Sequence, residues 1–111
     1  MSAQEKLVST RSDLKSLYGA IPATAQAFNN LGKSVKEGGV LDFKTKEFIA
    51  LGIAVADRCE ACILLHVEAL VKAGATRAEI SDVLAMTIQM GGGPSMMYAS
   101  KALAVYDELA G

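Results

Sequence analysis

Apolar residues recur every three to four positions along most of this chain of 111 residues, which is the spacing of an amphipathic helix. No segment alternates between apolar and polar residues in the manner of a half-buried strand. Glycine, proline and helix-capping residues divide the chain into six such segments. We therefore predict an all-α fold, a compact bundle of about six helices that forms a single domain over residues 1–111.

The helix boundaries follow from residues that favour helix ends. Thr76-Arg77-Ala78-Glu79 has the sequence of a capping box and predicts the start of the fifth helix. Gly91-Gly92-Gly93-Pro94 predicts a sharp break before the sixth. The predicted helices are Gln4 to Tyr18 (ended by Gly19), Pro22 to about Glu37, Phe43 (capped by Asp42) to about Asp57, the cysteine segment to Ala73, the capping box to about Met90, and Pro94 or Ser95 to the C-terminus.

Each of the first two helices is expected to bury one apolar face, as peripheral helices do. The fifth helix carries apolar residues on more than one side, although a peripheral helix needs a single stripe of ~100°. We expect a subunit interface to cover the additional side. The residues predicted inward are Leu7, Leu14, Leu17, Ala25, Phe28, Leu31 and Val35, and the apolar surface of the fifth helix and the following turn comprises Val83, Leu84, Met86, Thr87, Ile88, Met90, Met96, Met97 and Tyr98.

Charge and hydropathy exclude several classes of partner. Eleven basic and twelve acidic residues are scattered along the chain, so there is no basic stripe for nucleic acid and no charged block for a membrane surface. The longest uncharged run, Phe48 to Ala56, is far shorter than the ~20 residues of a spanning helix. No apolar stretch follows the charges of Met1 to Lys6, so we do not expect a signal peptide. We expect a cytoplasmic protein with neither a nucleic-acid nor a membrane partner.

Both cysteines and the only histidine lie between Cys59 and His66. On a helix these two residues and Cys62 project from one stripe, with Cys62 and His66 neighbours at i, i+4. The first turn of a helix also presents free N–H groups that favour a thiolate. This pattern indicates a redox-active dithiol with a base one turn away. No strand precedes Cys59, so the segment does not fit a thioredoxin fold.

Two alternatives to a redox-active dithiol stay open at this point. Zinc could use Cys59, Cys62, His66 and Glu47, but one helical stripe places its ligands too close together for easy tetrahedral coordination. The cysteines could also be two inert buried thiols. We expect neither a bound metal nor a cofactor.

Glu47 lies in a segment that is otherwise strongly apolar. If the third and fourth helices form a hairpin that reverses about ten residues after Glu47, its side chain lies level with His66 at ~1.5 Å per residue. A carboxylate in an apolar interior needs a partner, which His66 would supply. The sequence thus predicts a relay in which Glu47 orients His66 and His66 accepts a proton from Cys62. The alternative is a solvent-exposed Glu47 beside Lys44 and Lys46.

The spacing of Glu47, eleven intervening residues and then Cys59-x-x-Cys62-x-x-x-His66 resembles the signature of the alkylhydroperoxidase AhpD-like branch of the carboxymuconolactone decarboxylase superfamily. The resemblance covers roughly residues 20 to 105. It implies an all-α subunit with the motif at the start of a central helix, assembled into homo-trimers or homo-hexamers. It also implies a thiol-dependent peroxidase or disulfide reductase in antioxidant defence.

The resemblance assigns a role to each residue of the motif. Cys62 would attack the peroxide, Cys59 would resolve the sulfenic acid as a disulfide, and Glu47 and His66 would relay protons. Positions i and i+3 at a helix start can approach bonding distance, which also favours a reversible Cys59–Cys62 disulfide. The partners would be a peroxide or disulfide substrate and a thiol reductant of the dihydrolipoyl or thioredoxin type. A carboxymuconolactone decarboxylase-like enzyme and a non-catalytic redox-sensing oligomer are the alternative functions.

Overall fold

The computed structural model describes all 111 residues and contains six α-helices and no strand. This confirms the all-α prediction, and the predicted helix ends agree with the structure to within two residues. The prediction that Gly19 ends the first helix is wrong, because the helix continues through Gly19 to Ala20. The helices are α1 (Ala3–Ala20), α2 (Pro22–Lys36), α3 (Phe43–Ala56), α4 (Glu60–Lys72), α5 (Arg77–Gly91) and α6 (Gly93–Ala110).

Side chains cap several of the helix starts. The predicted capping box of α5 is present, with Thr76 and Glu79 each accepting a hydrogen bond from the backbone N–H of the other. Asp42 caps α3. A second capping box, formed by Ser2 and Glu5, begins α1 and was not predicted. These side chains satisfy N–H groups that have no partner within the helix.

The main core lies between α3, α4, α5 and α6, each of which packs against at least two of the others. α4 also contacts α1, so it is the central helix that the sequence predicts. Because the core surrounds α3 and α4, it fixes the two helices that carry the predicted site. The twelve buried residues of this core are Leu51, Ala54, Val55, Ile63, Val67, Leu70, Ala75, Ile80, Leu84, Ala99, Ala102 and Tyr106.

α1 covers α4 through a smaller cluster in which Leu7 is fully buried against Leu64. The inward prediction holds for Leu7, and Leu14 is half-buried. It is wrong for Leu17, which is half exposed.

α2 is the helix that packs least on the rest of the chain. Ala25 is its one buried residue, whereas Phe28, Leu31 and Val35 are 69%, 57% and 53% exposed. The prediction that these three side chains point into the subunit is therefore wrong. α2 packs against α1, and its apolar stripe has no partner within the subunit. None of the six helices combines the length and the apolar character that crossing a membrane requires.

Candidate active site

The cysteine segment lies at the junction between α3 and α4. The chain reverses at Arg58, which has a left-handed φ of 56°. The N–H of Arg58 donates to the carbonyl of Val55, and that of Cys59 donates to the carbonyl of Ala54. This pair of hydrogen bonds is a Schellman motif, in which the left-handed position is usually glycine. The reversal creates the α3–α4 hairpin that the sequence predicts.

Cys59 and Cys62 form a disulfide, with their Cα atoms 5.2 Å apart. Cys59 is the N-cap residue of α4, and its Sγ accepts a hydrogen bond from the backbone N–H of Cys62 at 3.2 Å. Both residues are half-buried, and Cys62 packs against the main core. The pair is thus held by the first turn of α4, where free N–H groups favour negative charge on sulfur.

Glu47 and His66 are in direct contact across the hairpin. Glu47 Oε2 lies 2.6 Å from His66 Nδ1, and the Glu47 side chain is 1% exposed. This confirms the predicted register of α3 and α4 and excludes the solvent-exposed position for Glu47. His66 Nδ1 is the nitrogen that faces the carboxylate. Nε2 makes no hydrogen bond within the chain, and the His66 side chain is 28% exposed.

The structure therefore brings all four predicted residues to one hairpin. Glu47 comes from the interior of α3, and His66 lies one turn after Cys62 on α4. Cys59 precedes the first residue of that helix. No group of three or more histidine, cysteine or acidic residues is arranged to hold a metal ion.

Lys36 is a member of this site that sequence reasoning missed. It is the last residue of α2, and its Nζ lies 3.0 Å from Glu47 Oε1. The ammonium is not aligned to donate a hydrogen bond to that oxygen, which has no other partner, so the contact is an ion pair. In the sequence, Lys36 is an ordinary cation in the last turn of a helix, which the helix dipole favours by itself. Only tertiary packing places it on Glu47.

Other charged groups around α4 form ion pairs with α1. Lys6 Nζ lies 2.8 Å from Glu60 Oε1, and this hydrogen bond lowers the pKa of Glu60. Arg11 binds Glu68 and lowers the pKa of that carboxyl. Glu60 follows Cys59 directly in the sequence, where its negative charge would oppose a thiolate. In the folded chain the ion pair with Lys6 compensates this charge.

An apolar groove of about 450 Å³ lies between α3 and α5. Its methionines, Met86 and Met90, belong to the second apolar side predicted for α5, and both are exposed. Gly52 allows the two helices to approach, because a Cβ at this position would lie 3.1 Å from Thr87 Oγ1. The residues that line the groove are Phe48, Ile49, Gly52, Ile53, Ala56, Val83, Met86, Thr87, Met90 and Gly91.

A six-helix bundle with a disulfide at the start of its central helix, and a buried Glu–His pair beside it, defines a protein of the AhpD-like class. The model of the carboxymuconolactone decarboxylase family matches residues 22–105. This chain belongs to that family.

Proteins of known sequence or structure resemble this chain over most of its length. An uncharacterized protein of Cupriavidus necator is 43% identical over 96 residues, which are 83% of this chain and 85% of the relative. A family member from Legionella pneumophila, solved in its apo form, superimposes with a TM-score of 0.93 at 38% identity over 98% of this chain and 97% of its own. A family member from Thermotoga maritima, with a suggested role in an antioxidative response, gives a TM-score of 0.83 at 31% identity over 94% and 89% of the two chains.

Proposed function

We propose that this protein is a thiol-dependent peroxidase or disulfide reductase that acts in antioxidant defence. Its redox centre is the Cys59–Cys62 pair, and its proton relay is Glu47 and His66. The observation that carries the proposal is the 2.6 Å contact between the buried Glu47 carboxylate and His66, one helical turn from Cys62. A carboxylate at Nδ1 orients the imidazole and stabilises its protonated form, which prepares Nε2 to act as a base.

The first half of the proposed cycle oxidises the dithiol. His66 accepts the proton of Cys62, and the thiolate attacks a hydroperoxide. A sulfur–oxygen bond forms, the peroxide O–O bond breaks, and the leaving alkoxide takes the proton from His66 to become an alcohol. Cys59 then attacks the sulfur of the Cys62 sulfenic acid, so that the disulfide forms and water leaves. The N-terminus of α4 favours the thiolate forms of both cysteines, which these two reaction steps require.

The second half of the cycle reduces the disulfide. A donor thiol loses its proton to His66 and its thiolate attacks Cys59, so that Cys62 leaves and takes that proton from His66. The second donor thiol resolves the mixed disulfide, so the donor ends as a disulfide and the dithiol is restored. A dihydrolipoyl or thioredoxin-type donor supplies both thiols. The cytoplasm is the proposed compartment, because it keeps such donors reduced.

We also propose that the chain works as a homo-oligomer, a trimer or a hexamer. Two apolar surfaces support this: the exposed stripe of α2 (Phe28, Leu31 and Val35) and the groove between α3 and α5, whose exposed residues include Met86 and Met90. A second copy of the chain offers an apolar surface of matching character to each. Large exposed apolar surfaces are characteristic of interaction sites. No nucleic acid or membrane takes part in the proposed function.

Steady-state consumption of hydrogen peroxide and of an organic hydroperoxide, measured with dihydrolipoamide, dithiothreitol and thioredoxin, tests the proposal. We expect many turnovers per subunit with at least one donor, and loss of turnover in Cys62→Ser. Oxidation of the dithiol once, without turnover by any donor, would instead support a redox sensor. Absence of dithiol oxidation, together with decarboxylation of a lactone acid, would support a carboxymuconolactone decarboxylase-like enzyme.

A further inference from the structure

The two oxygens of the Glu47 carboxylate have different partners from different helices. Oε2 contacts His66 on α4, whereas Oε1 lies 3.0 Å from Nζ of Lys36 at the end of α2. Glu47 is 1% exposed and the Lys36 side chain is 45% exposed. Lys36 thus reaches from the surface to a buried carboxylate that is itself bound to the histidine.

The end of α2 is held in this position by α3. Lys46, the residue before Glu47, donates a hydrogen bond to the carbonyl of Val35 at 2.5 Å and another to the carbonyl of Gly38. The Lys36 ammonium also lies 6.0 Å from the centre of the Phe43 ring, within the range of a cation–π contact. Lys36 is therefore placed by contacts independent of its ion pair with Glu47.

Lys36 is also the one permanent cation near Glu47. Apart from His66, no other basic side chain lies within ion-pair distance of the carboxylate. The nearest lysines on α3 are used elsewhere: Lys44 pairs with Glu79 of α5, and Lys46 binds backbone carbonyls. The remaining acidic residues of α4 have partners of their own, Glu60 with Lys6 and Glu68 with Arg11 and Lys72.

We propose that Lys36 is a positioning residue of the relay, which sets through Glu47 the pH at which His66 gives up its proton. A buried carboxylate is costly unless a cation compensates it. With Lys36 present, Glu47 keeps a counterion whether or not His66 is protonated. Without Lys36, only a protonated His66 compensates Glu47, so His66 holds its proton to higher pH and becomes a poorer base for Cys62. The consequence for catalysis rests on the proposed function, whereas the effect on His66 does not.

His66 is the only histidine in the chain, so its imidazole signal can be followed by NMR without assignment. We expect Lys36→Met to raise the pH midpoint of His66 titration relative to wild type, because the imidazolium is then the only counterion that Glu47 has within ion-pair distance. Lys36→Arg should restore the wild-type midpoint. Lys33→Met is the matched control, because it removes an equal charge from the same turn of α2 without touching Glu47.

The same variants also have a kinetic readout. The acidic limb of the pH profile for oxidation of the dithiol by peroxide should move to higher pH together with the His66 titration. Below the midpoint, Lys36→Met should therefore react more slowly than wild type, by about tenfold for a displacement of one pH unit. A shifted titration with no peroxide reaction at any pH would support the role of Lys36 and count against the peroxidase. An unchanged or lower His66 midpoint in Lys36→Met, in protein that retains its helical circular dichroism, would overturn the proposal. Lys36→Gln provides the same test if Lys36→Met does not fold.

Discussion

The backbone N–H of Cys62 donates a hydrogen bond to the sulfur of Cys59 at 3.2 Å. Cys59 thus ends one helix with its own N–H, which binds the Ala54 carbonyl, and begins the next with its side chain. After reduction we expect the same amide to stabilise a thiolate on Cys59. In the proposed function, Cys62 has His66 as a base in addition to the helix N-terminus. The proposal therefore gives the two cysteines different activating groups.

This division of roles predicts where an oxidised intermediate accumulates. In Cys59→Ser, peroxide should leave a sulfenic acid on Cys62, because the base remains and the resolving thiol is gone. Trapping with dimedone and peptide mass spectrometry locates the adduct. Cys62→Ser is the reciprocal control and should react much more slowly. Faster trapping on Cys59 in Cys62→Ser than on Cys62 in Cys59→Ser would reverse the assigned roles.

The contact between Glu47 and His66 predicts overlapping losses of rate. His66→Ala and Glu47→Gln should each slow oxidation of the dithiol, within the ~10²- to 10⁴-fold range of general-base assistance. The double variant should be little slower than His66→Ala, because both residues act through one proton path. Rapid mixing with peroxide, quenched at set times by alkylation of the remaining thiols, measures the rates. Fully multiplicative losses would show that Glu47 acts by another route.

Both α3 and α4 end in a Schellman motif. The residue in the left-handed conformation is Arg58 after α3, and it is Gly74, with a φ of 81°, after α4. Arg58→Gly should raise the free energy of unfolding by ~1 kcal/mol, because glycine adopts this conformation without a Cβ clash. Gly74→Ala, which has no neighbouring atom within 4 Å of the added Cβ, should lower it by a similar amount.

Urea unfolding of the two variants beside wild type measures both effects. Equal destabilisation by Arg58→Gly and Gly74→Ala would mean that the Arg58 side chain makes a contribution of its own. The comparison separates backbone strain at the cysteine junction from any role of the guanidinium group.

The exposed stripe of α2 predicts the effect of a charge on assembly. Wild-type protein should have a mass corresponding to three or six subunits of 11.6 kDa, and Phe28→Asp should dissociate it, because a buried unpaired carboxylate disfavours an apolar interface. Val8→Asp is the matched control on α1, since Val8 is exposed to a similar degree, 62% against 69%. Light scattering at micromolar concentration measures the masses. A wild-type monomer with full redox activity would contradict the proposed assembly.

The site geometry could be predicted wherever it depends on helix periodicity alone. The contact between Glu47 and His66 follows from the length of the α3–α4 hairpin, since both residues lie a fixed rise from the same turn. The start of α5 follows equally from local capping chemistry. The capping box of Ser2 and Glu5 at the start of α1 uses the same chemistry and is equally readable from the sequence.

Lys36 and the outer face of α2 could not be predicted in this way. Their positions depend on how the segment after α2 turns and on which way the helix is rotated, and neither is encoded in a repeat of apolar residues. Periodicity identified the stripe of Phe28, Leu31 and Val35 correctly, but not whether the subunit itself or another surface covers it. The exposed stripe and the contact of Lys36 with Glu47 are therefore findings of the structure.

A single turnover tests the central claim most directly. Reduced protein mixed with one equivalent of an organic hydroperoxide should yield one Cys59–Cys62 disulfide, one alcohol and one water per subunit, and the disulfide is visible as the loss of two hydrogen atoms from the intact mass. The reaction should be faster than that of Cys62→Ser by at least the factor assigned to the relay, ~10²-fold. Consumption of the peroxide at the same slow rate by both proteins, with no disulfide formed, would contradict the account.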